Sequence, residues 1–218
     1  MSHEHQSDEK TPIVGIGASA GGLASLETLF EQLPADTGAA FVVIQHLSPD
    51  YKSHMPELLG RRTRMPAVQI EQDVVPQPNT VYLLPPGKHV IMQEHHLQLI
   101  QREESVELSL PIDRFFISLA EQHDRRCAAL ILSGTGSDGS QGIQKIARAG
   151  GFVLSQDEDS AQFNSMPLNA MKTECVHIVA PVPELAESLV SFLAHVPIEQ
   201  VIQEASPAIN RGRSEEHT

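Results

Sequence analysis

A chain of 218 residues with 40% apolar side chains has the length and core-forming material of one α/β domain. Its net charge of -13 argues against nucleic acid or an anionic membrane as partner, because phosphate binding needs clustered Lys and Arg. No apolar run approaches the roughly 20 residues that cross a bilayer, and the polar start MSHEHQSDEK lacks the basic-then-apolar pattern of a leader, so the chain reads as cytoplasmic and not membrane-inserted.

Residues 1–11 and 198–218 are polar and charged, the profile of an N-terminal tail and a C-terminal tail or linker around a domain spanning 12–197. Within that domain IVGI (13–16) is followed by a helical segment 21–33, and FVVIQ (41–45) by another at 52–64. Short β-branched runs alternating with amphipathic helices predict a parallel sheet covered by helices. Arg61, Arg62 and Arg64 fall at the end of the second helix, where they suit a solvated turn that complements the helix dipole; an acidic protein partner is the alternative.

The middle of the chain breaks this rhythm. VYLLPPG (81–87), HVIMQ (89–93) and HLQLIQ (96–101) are strand-like and separated only by turns, which predicts a small antiparallel insertion or sheet edge. Alternation then resumes: a helix opening at Pro111 and running to about His123, a strand AALILS (128–133) and a helix from Gln141 to Ala149. FVLS (152–155), a helix from about Ser165, VHIV (176–179) and a helix 181–195 complete it. Cys127 and Cys175 each open a predicted strand and read as buried free thiols, not a disulfide.

In open α/β sheets ligands bind beyond the carboxyl ends of the strands, so polar residues following each apolar run are the candidates for chemistry. Ser19 lies in Gly17-Ala18-Ser19-Ala20-Gly21, the G-x-S-x-G spacing whose small residues permit a tight strand-to-helix turn and an exposed hydroxyl. Free N–H groups at that helix start, Ala20 among them, suit an oxyanion hole. His46 ends the second strand and is the best-placed imidazole to act as its base; the other histidines fall in tails, turns, helices or strand interiors. Asp138 sits in Gly134-Thr135-Gly136-Ser137-Asp138-Gly139, where it either orients the imidazole or caps the helix beginning near Ser140. The first loop also spells Gly15-x-Gly17-x-x-Ala20, a relaxed dinucleotide fingerprint. That reading demands an acidic residue ending the second strand, and the chain has Gln45-His46 there.

Taken together, GIGASAGGLASL (15–26), IQHLSP (44–49), LLPPGKHV (83–90), LPIDRFF (110–116), LSGTGSDGSQG (132–142), QDEDSA (156–161) and SMP (165–167) resemble the successive blocks of the CheB methylesterase domain over about 13–195. The resemblance implies a doubly wound, mostly parallel α/β sheet with helices on both faces and Ser, His and Asp in that chain order, which map onto Ser19, His46 and Asp138. It implies hydrolysis of glutamyl methyl esters on the cytoplasmic helices of chemoreceptors, with release of methanol, and in many members glutamine deamidation. No metal or organic cofactor is implied, and the chain has no H-E-x-x-H or paired-cysteine motif. Thr135 stands where the receptor enzymes usually have Met, and Ala20 where a Thr often follows the nucleophile. LSGTGSDG and SMP resemble the branch fused ahead of a CheR-like methyltransferase, a possible partner, and Thr135 and Ala20 keep open a weakly active or inactive module that binds receptor or methyltransferase.

Overall fold

The computed structural model describes residues 11–45, 54–101, 110–122 and 126–212. Its centre is a strand that tolerates no polar side chain: β1 (Ile13–Ala18) is buried along its whole length. The pleat sends Val14, Ile16 and Ala18 to one face. There they pack with α1 (Gly22–Gln32), α2 (Met55–Gly60) and α6 (Val182–Leu193) through Leu26, Leu29, Phe30, Leu59, Leu185 and Leu189. Ile13 and the two glycines face the opposite layer, which holds α3 (Pro111–Gln122), α4 (Ser140–Arg148) and α5 (Ser165–Met171).

The glycines of β1 let α3 lie almost on the strand. A Cβ at Gly15 would fall 2.6 Å from the Phe116 ring, and one at Gly17 would fall 2.7 Å from Ile112. These two residues, which head the dinucleotide-like spacing, therefore serve helix–strand packing inside the sheet.

Seven parallel strands follow the order β3-β4-β2-β1-β7-β8-β9, comprising β2 (Ala40–Gln45), β3 (Ala67–Gln69), β4 (Thr80–Leu83), β7 (Cys127–Ile131), β8 (Phe152–Gln156) and β9 (Ile178–Ala180) around β1. The chain winds outward from β1 through β2, then returns to the other side of β1 at β7. The reversal makes the β1–β7 boundary a topological switch point, with helices on both faces as expected.

Three elements depart from the sequence reading. Of the strand-like runs in the middle, the Val81 run joins the main sheet as β4, and only β5 (Lys88–Gln93) and β6 (His96–Gln101) form the antiparallel hairpin. That hairpin buries Val90, Met92 and Leu97 against α3, and the Met92 N–H donates to Ser118 Oγ at 2.9 Å. β3 was not anticipated; it pairs in parallel with β4. The expected tail from 198 instead begins as α7 (Ile198–Gly212), with Val201 2% exposed and Ile198, Ile202 and Ala205 packed against the α6 side of the core.

Neither cysteine forms a disulfide; Cys127 is buried and Cys175 half-buried just ahead of β9. Arg62 reaches back to α1, its guanidinium donating to Glu31 at 2.7 Å and Glu27 at 3.4 Å. Among the described residues no helix is long and apolar enough to cross a membrane.

Candidate active site

Ser19 is the first residue after β1, and its backbone is fixed from two sides. Its N–H donates to the Ser133 carbonyl at 3.0 Å, and its own carbonyl accepts from Gly22 N–H at 2.9 Å. The turn between them passes through Gly21 at φ 69, the left-handed region open to glycine. A side chain at 21 would also strike Ser133 Oγ and Gln162. The tight strand-to-helix turn expected from the sequence is thus present, half-burying Ser19 and Ala20 at the start of α1.

Asp138 arrives from the other side of the switch point, on the loop that leaves β7. It is 4% exposed, and its carboxylate accepts from two backbone donors, Ile112 N–H at 3.0 Å and Asp113 N–H at 2.8 Å. It therefore caps α3. The helix that follows it, α4, has Gly139 at its N-cap and takes its side-chain acceptor from Asp113, whose Oδ1 receives Gly142 N–H at 2.7 Å. The two aspartates cap each other's helices. Burial pushes the Asp113 carboxyl above its ordinary range, with the Asp138 charge adding to the rise and the Gly142 N–H opposing it.

Gly134 is the hinge of contact between the two loops. A Cβ there would collide with Met166 Sδ, and would lie 2.9 Å from Ser19 Cβ and 3.1 Å from Ser19 N. The loop is pinned to α5: Gly134 N–H donates to the Phe163 carbonyl at 2.9 Å, Met166 N–H to the Gly134 carbonyl at 3.0 Å, and Asn169 Nδ2 to the Gly136 carbonyl at 2.8 Å. Thr135 is exposed on this loop. His46 is the residue after Gln45, the last of β2, and lies outside the described residues. The register Ala18↔Gln45 sets the two strand ends level.

The residues beneath Ser19 carry a polar network that sequence reasoning missed. Gln156, at the end of β8, is 2% exposed; its Oε1 accepts from Ser133 N–H at 2.9 Å and from Ser25 Oγ of α1 at 3.0 Å. Ser133 Oγ donates to the Ala20 carbonyl at 2.9 Å and accepts Phe163 N–H at 3.0 Å. One side chain from β8 thereby ties α1 to the β7 loop, and Ser133 Oγ ties that loop to the turn that carries Ser19. The one available signal was the QDEDSA block, which begins at Gln156.

A cleft of about 450 Å³ opens above Ser19, lined by Ala20, Gly21, Leu23, Gln45 and Gln162, with Glu27 at its rim. Such a groove, backed by a hydroxyl and helix-start N–H groups, is suited to acyl transfer. The CheB methylesterase family model matches residues 14–189. The chain belongs to the CheB methylesterase family.

Relatives agree with this placement. Over 84% of this chain it is 29% identical to the protein-glutamate methylesterase FrzG of Myxococcus xanthus, covering 55% of that protein. It is 30% identical, again over 84% of this chain, to a protein-glutamate methylesterase/protein-glutamine glutaminase of Burkholderia thailandensis, covering 54% of it. An uncharacterized 104.1 kDa protein of Rhodobacter capsulatus is 36% identical over 66% of this chain, a match spanning 15% of that protein. The chain thus spans about half of the named methylesterases and a small part of the longer protein. Among solved structures, the CheB methylesterase catalytic domain of Thermotoga maritima superimposes with TM-score 0.78 at 26% identity, covering 84% of this chain and all of that one.

This CheB-type domain has a second and larger cavity, about 640 Å³, at the amino end of the sheet. Pro12, Phe192, Leu193, Ile198 and Ile202 make its walls apolar, with Arg126, His177 and His195 among its polar members. His177 is half-buried; its Nδ1 accepts Val153 N–H at 3.0 Å, and burial holds its imidazole below the ordinary histidine range.

Proposed function

We propose that this chain is a protein-glutamate methylesterase acting on the methylated helices of chemoreceptors in the cytoplasm, with Ser19 as nucleophile, His46 as general base and Asp138 as the carboxylate that orients the imidazole. The observation that carries the reading is the juxtaposition of Ser19 and the Asp138 loop across the β1–β7 switch point, joined by the Ser19 N–H to Ser133 carbonyl bond. The names of the Myxococcus and Burkholderia relatives as protein-glutamate methylesterases support the substrate class.

His46 takes the Ser19 proton as Oγ attacks the γ-carbonyl, and the N–H of Ala20, with the Thr135 loop opposite, lines the place where the oxyanion forms. The bond from the γ-carbon to the methoxy oxygen breaks, that oxygen takes the proton from the imidazole and leaves as methanol, and water activated by the same imidazole then cleaves the Ser19 ester to release glutamate. The route is complete with these side chains alone, without metal or cofactor. A primary amide follows the same path with ammonia leaving, so glutamine deamidation belongs to the proposal. Phe163, 41% exposed and adjacent to Gln162 of the cleft, offers an apolar rim for a helical protein substrate.

The test is methanol release from a methylated receptor fragment. Wild type releases methanol and Ser19→Ala loses turnover by at least about 10⁴-fold while still binding the fragment. A serine-directed fluorophosphonate labels wild type and not the variant. Wild type that binds the fragment without releasing methanol identifies a binding module and overturns the enzymatic reading.

A further inference from the structure

Gln45 has an unusual position for a carboxamide. It closes β2 level with Ala18 of β1, one residue before His46 and beside the strand that delivers Ser19. Its side chain turns toward the start of α1, where its Nε2 lies 3.9 Å from the place a Cβ on Gly22 would occupy. It shares the cleft with Ser19, Ala20 and Gln162. Its Oε1 is buried and has no hydrogen-bond partner among the described residues. A buried carbonyl oxygen without a donor forfeits its hydration with nothing in return, which a ligand supplying a donor would remedy.

The two substrates of the proposed route differ in what they present to that oxygen. A methyl ester has no hydrogen to donate. A primary carboxamide has two N–H donors on the atom that must leave. We propose that Gln45 is the specificity residue for amide substrates: its Oε1 accepts one N–H of a glutamine side chain, turning the nitrogen lone pair toward the group that protonates it. This inference rests on the acyl-transfer reading above. Rotation about χ3, which is broad for glutamine, brings either end of the carboxamide to the cleft.

In the step this favours, Ser19 Oγ bonds to the substrate γ-carbon, the C–N bond breaks, and nitrogen departs as ammonia carrying the proton taken from Ser19. Water then cleaves the new ester, restoring Ser19 and leaving glutamate. The hydrogen bond to Gln45 matters when nitrogen must be held and protonated. It has no counterpart when methanol leaves, because the ester oxygen carries no hydrogen to donate.

The experiment measures ammonia and methanol release by the same enzyme sample, on receptor fragments carrying glutamine or glutamyl methyl ester at one site. The ratio of the two rates is independent of the fraction folded. Gln45→Met, similar in length and without an acceptor, lowers the ammonia-to-methanol ratio about ten-fold, the worth of one such bond. Gln45→Glu, which keeps an acceptor oxygen in place, holds the ratio closer to wild type. An unchanged ratio in Gln45→Met overturns the inference, as does wild type that releases methanol but no ammonia. Wild type that releases neither product counts instead against the esterase reading itself.

Discussion

The two ends of the sheet answer different demands. At the amino end the strands begin around a cavity of about 640 Å³ with apolar walls. At the carboxyl end the cleft is smaller, about 450 Å³, shallow, and lined by Ser19 and two glutamines. Volume and apolar lining favour the first; chain topology favours the second, because only there does the winding reverse between neighbouring strands and leave two loops facing one another. The buried bonds divide the same way. Gln156, Ser133 and Ser25 brace the carboxyl end, and Asp113 and Asp138 lock α3 to α4 beside it.

That contrast breaks most sharply at Asp138. If the carboxyl end is the catalytic one, Asp138→Asn lowers kcat for methanol release by about 10⁴-fold, the cost of a misdirected imidazole. The same change weakens one of the two hydrogen bonds by which Asp138 caps α3 and removes about 1 kcal/mol of stability. A thermal melt and a kinetic assay on the same sample separate the roles: loss of stability with kcat preserved leaves Asp138 a helix cap only. Gly134→Ala is expected to act next most strongly. The added methyl must displace Ser19 or Met166, and a displacement near 1 Å costs about 100-fold in turnover. Kinetics at wild-type values in that variant remove the claim that the two loops are in tight register.

The amino end gives the smallest and opposite response. Because burial depresses the His177 pKa, the unfolded chain binds its proton more readily than the folded one. Its contribution is whole above the ordinary histidine value of about 6.5 and is lost as pH falls through the lowered folded value. His177 therefore contributes a fall in melting temperature as pH is taken from 7 to 5, and His177→Gln removes that contribution while leaving kcat/KM at pH 7 unaltered. A slope that survives the substitution assigns the effect to other groups. A change in kcat/KM shows that the two ends communicate.

Much of this was legible in the sequence where the signal is local. The Gly17 to Gly21 spacing foretold the turn at Ser19 because small residues at fixed offsets are a local requirement, and Pro111 and Ser165 marked helix starts for the same reason. What escaped was decided by distant partners. Ala67–Gln69 has too few residues to alternate, and its strand character comes from β4. The Val81 run reads like its neighbours in the hairpin until its parallel register with β2 is known. The apolar residues at 198, 201, 202 and 205 have helical spacing, masked when composition is averaged over a polar segment. Asp138 was read as either an orienting carboxylate or a cap on the helix after it; its observed cap is on α3, with partners 25 and 26 residues earlier in the chain. Gln45 and Gln156 fall in the IQHLSP and QDEDSA blocks, but neither block says what the side chain touches, which emerges only when the strand ends are assembled. His46 lies outside the described residues, and its proposed role rests on chain order and family likeness.

The reciprocal capping of α3 and α4 has a bearing on how the protein comes together. Neither aspartate finds its backbone donors until two helices separated by a whole strand have docked, so the carboxylate beside the Ser19 loop is aimed by long-range assembly and not by its own turn. On dilution from denaturant, recovery of hydrolysis should then lag the return of helical signal and coincide with burial of the α3 phenylalanines, which makes turnover itself a clock for the final consolidation of the domain.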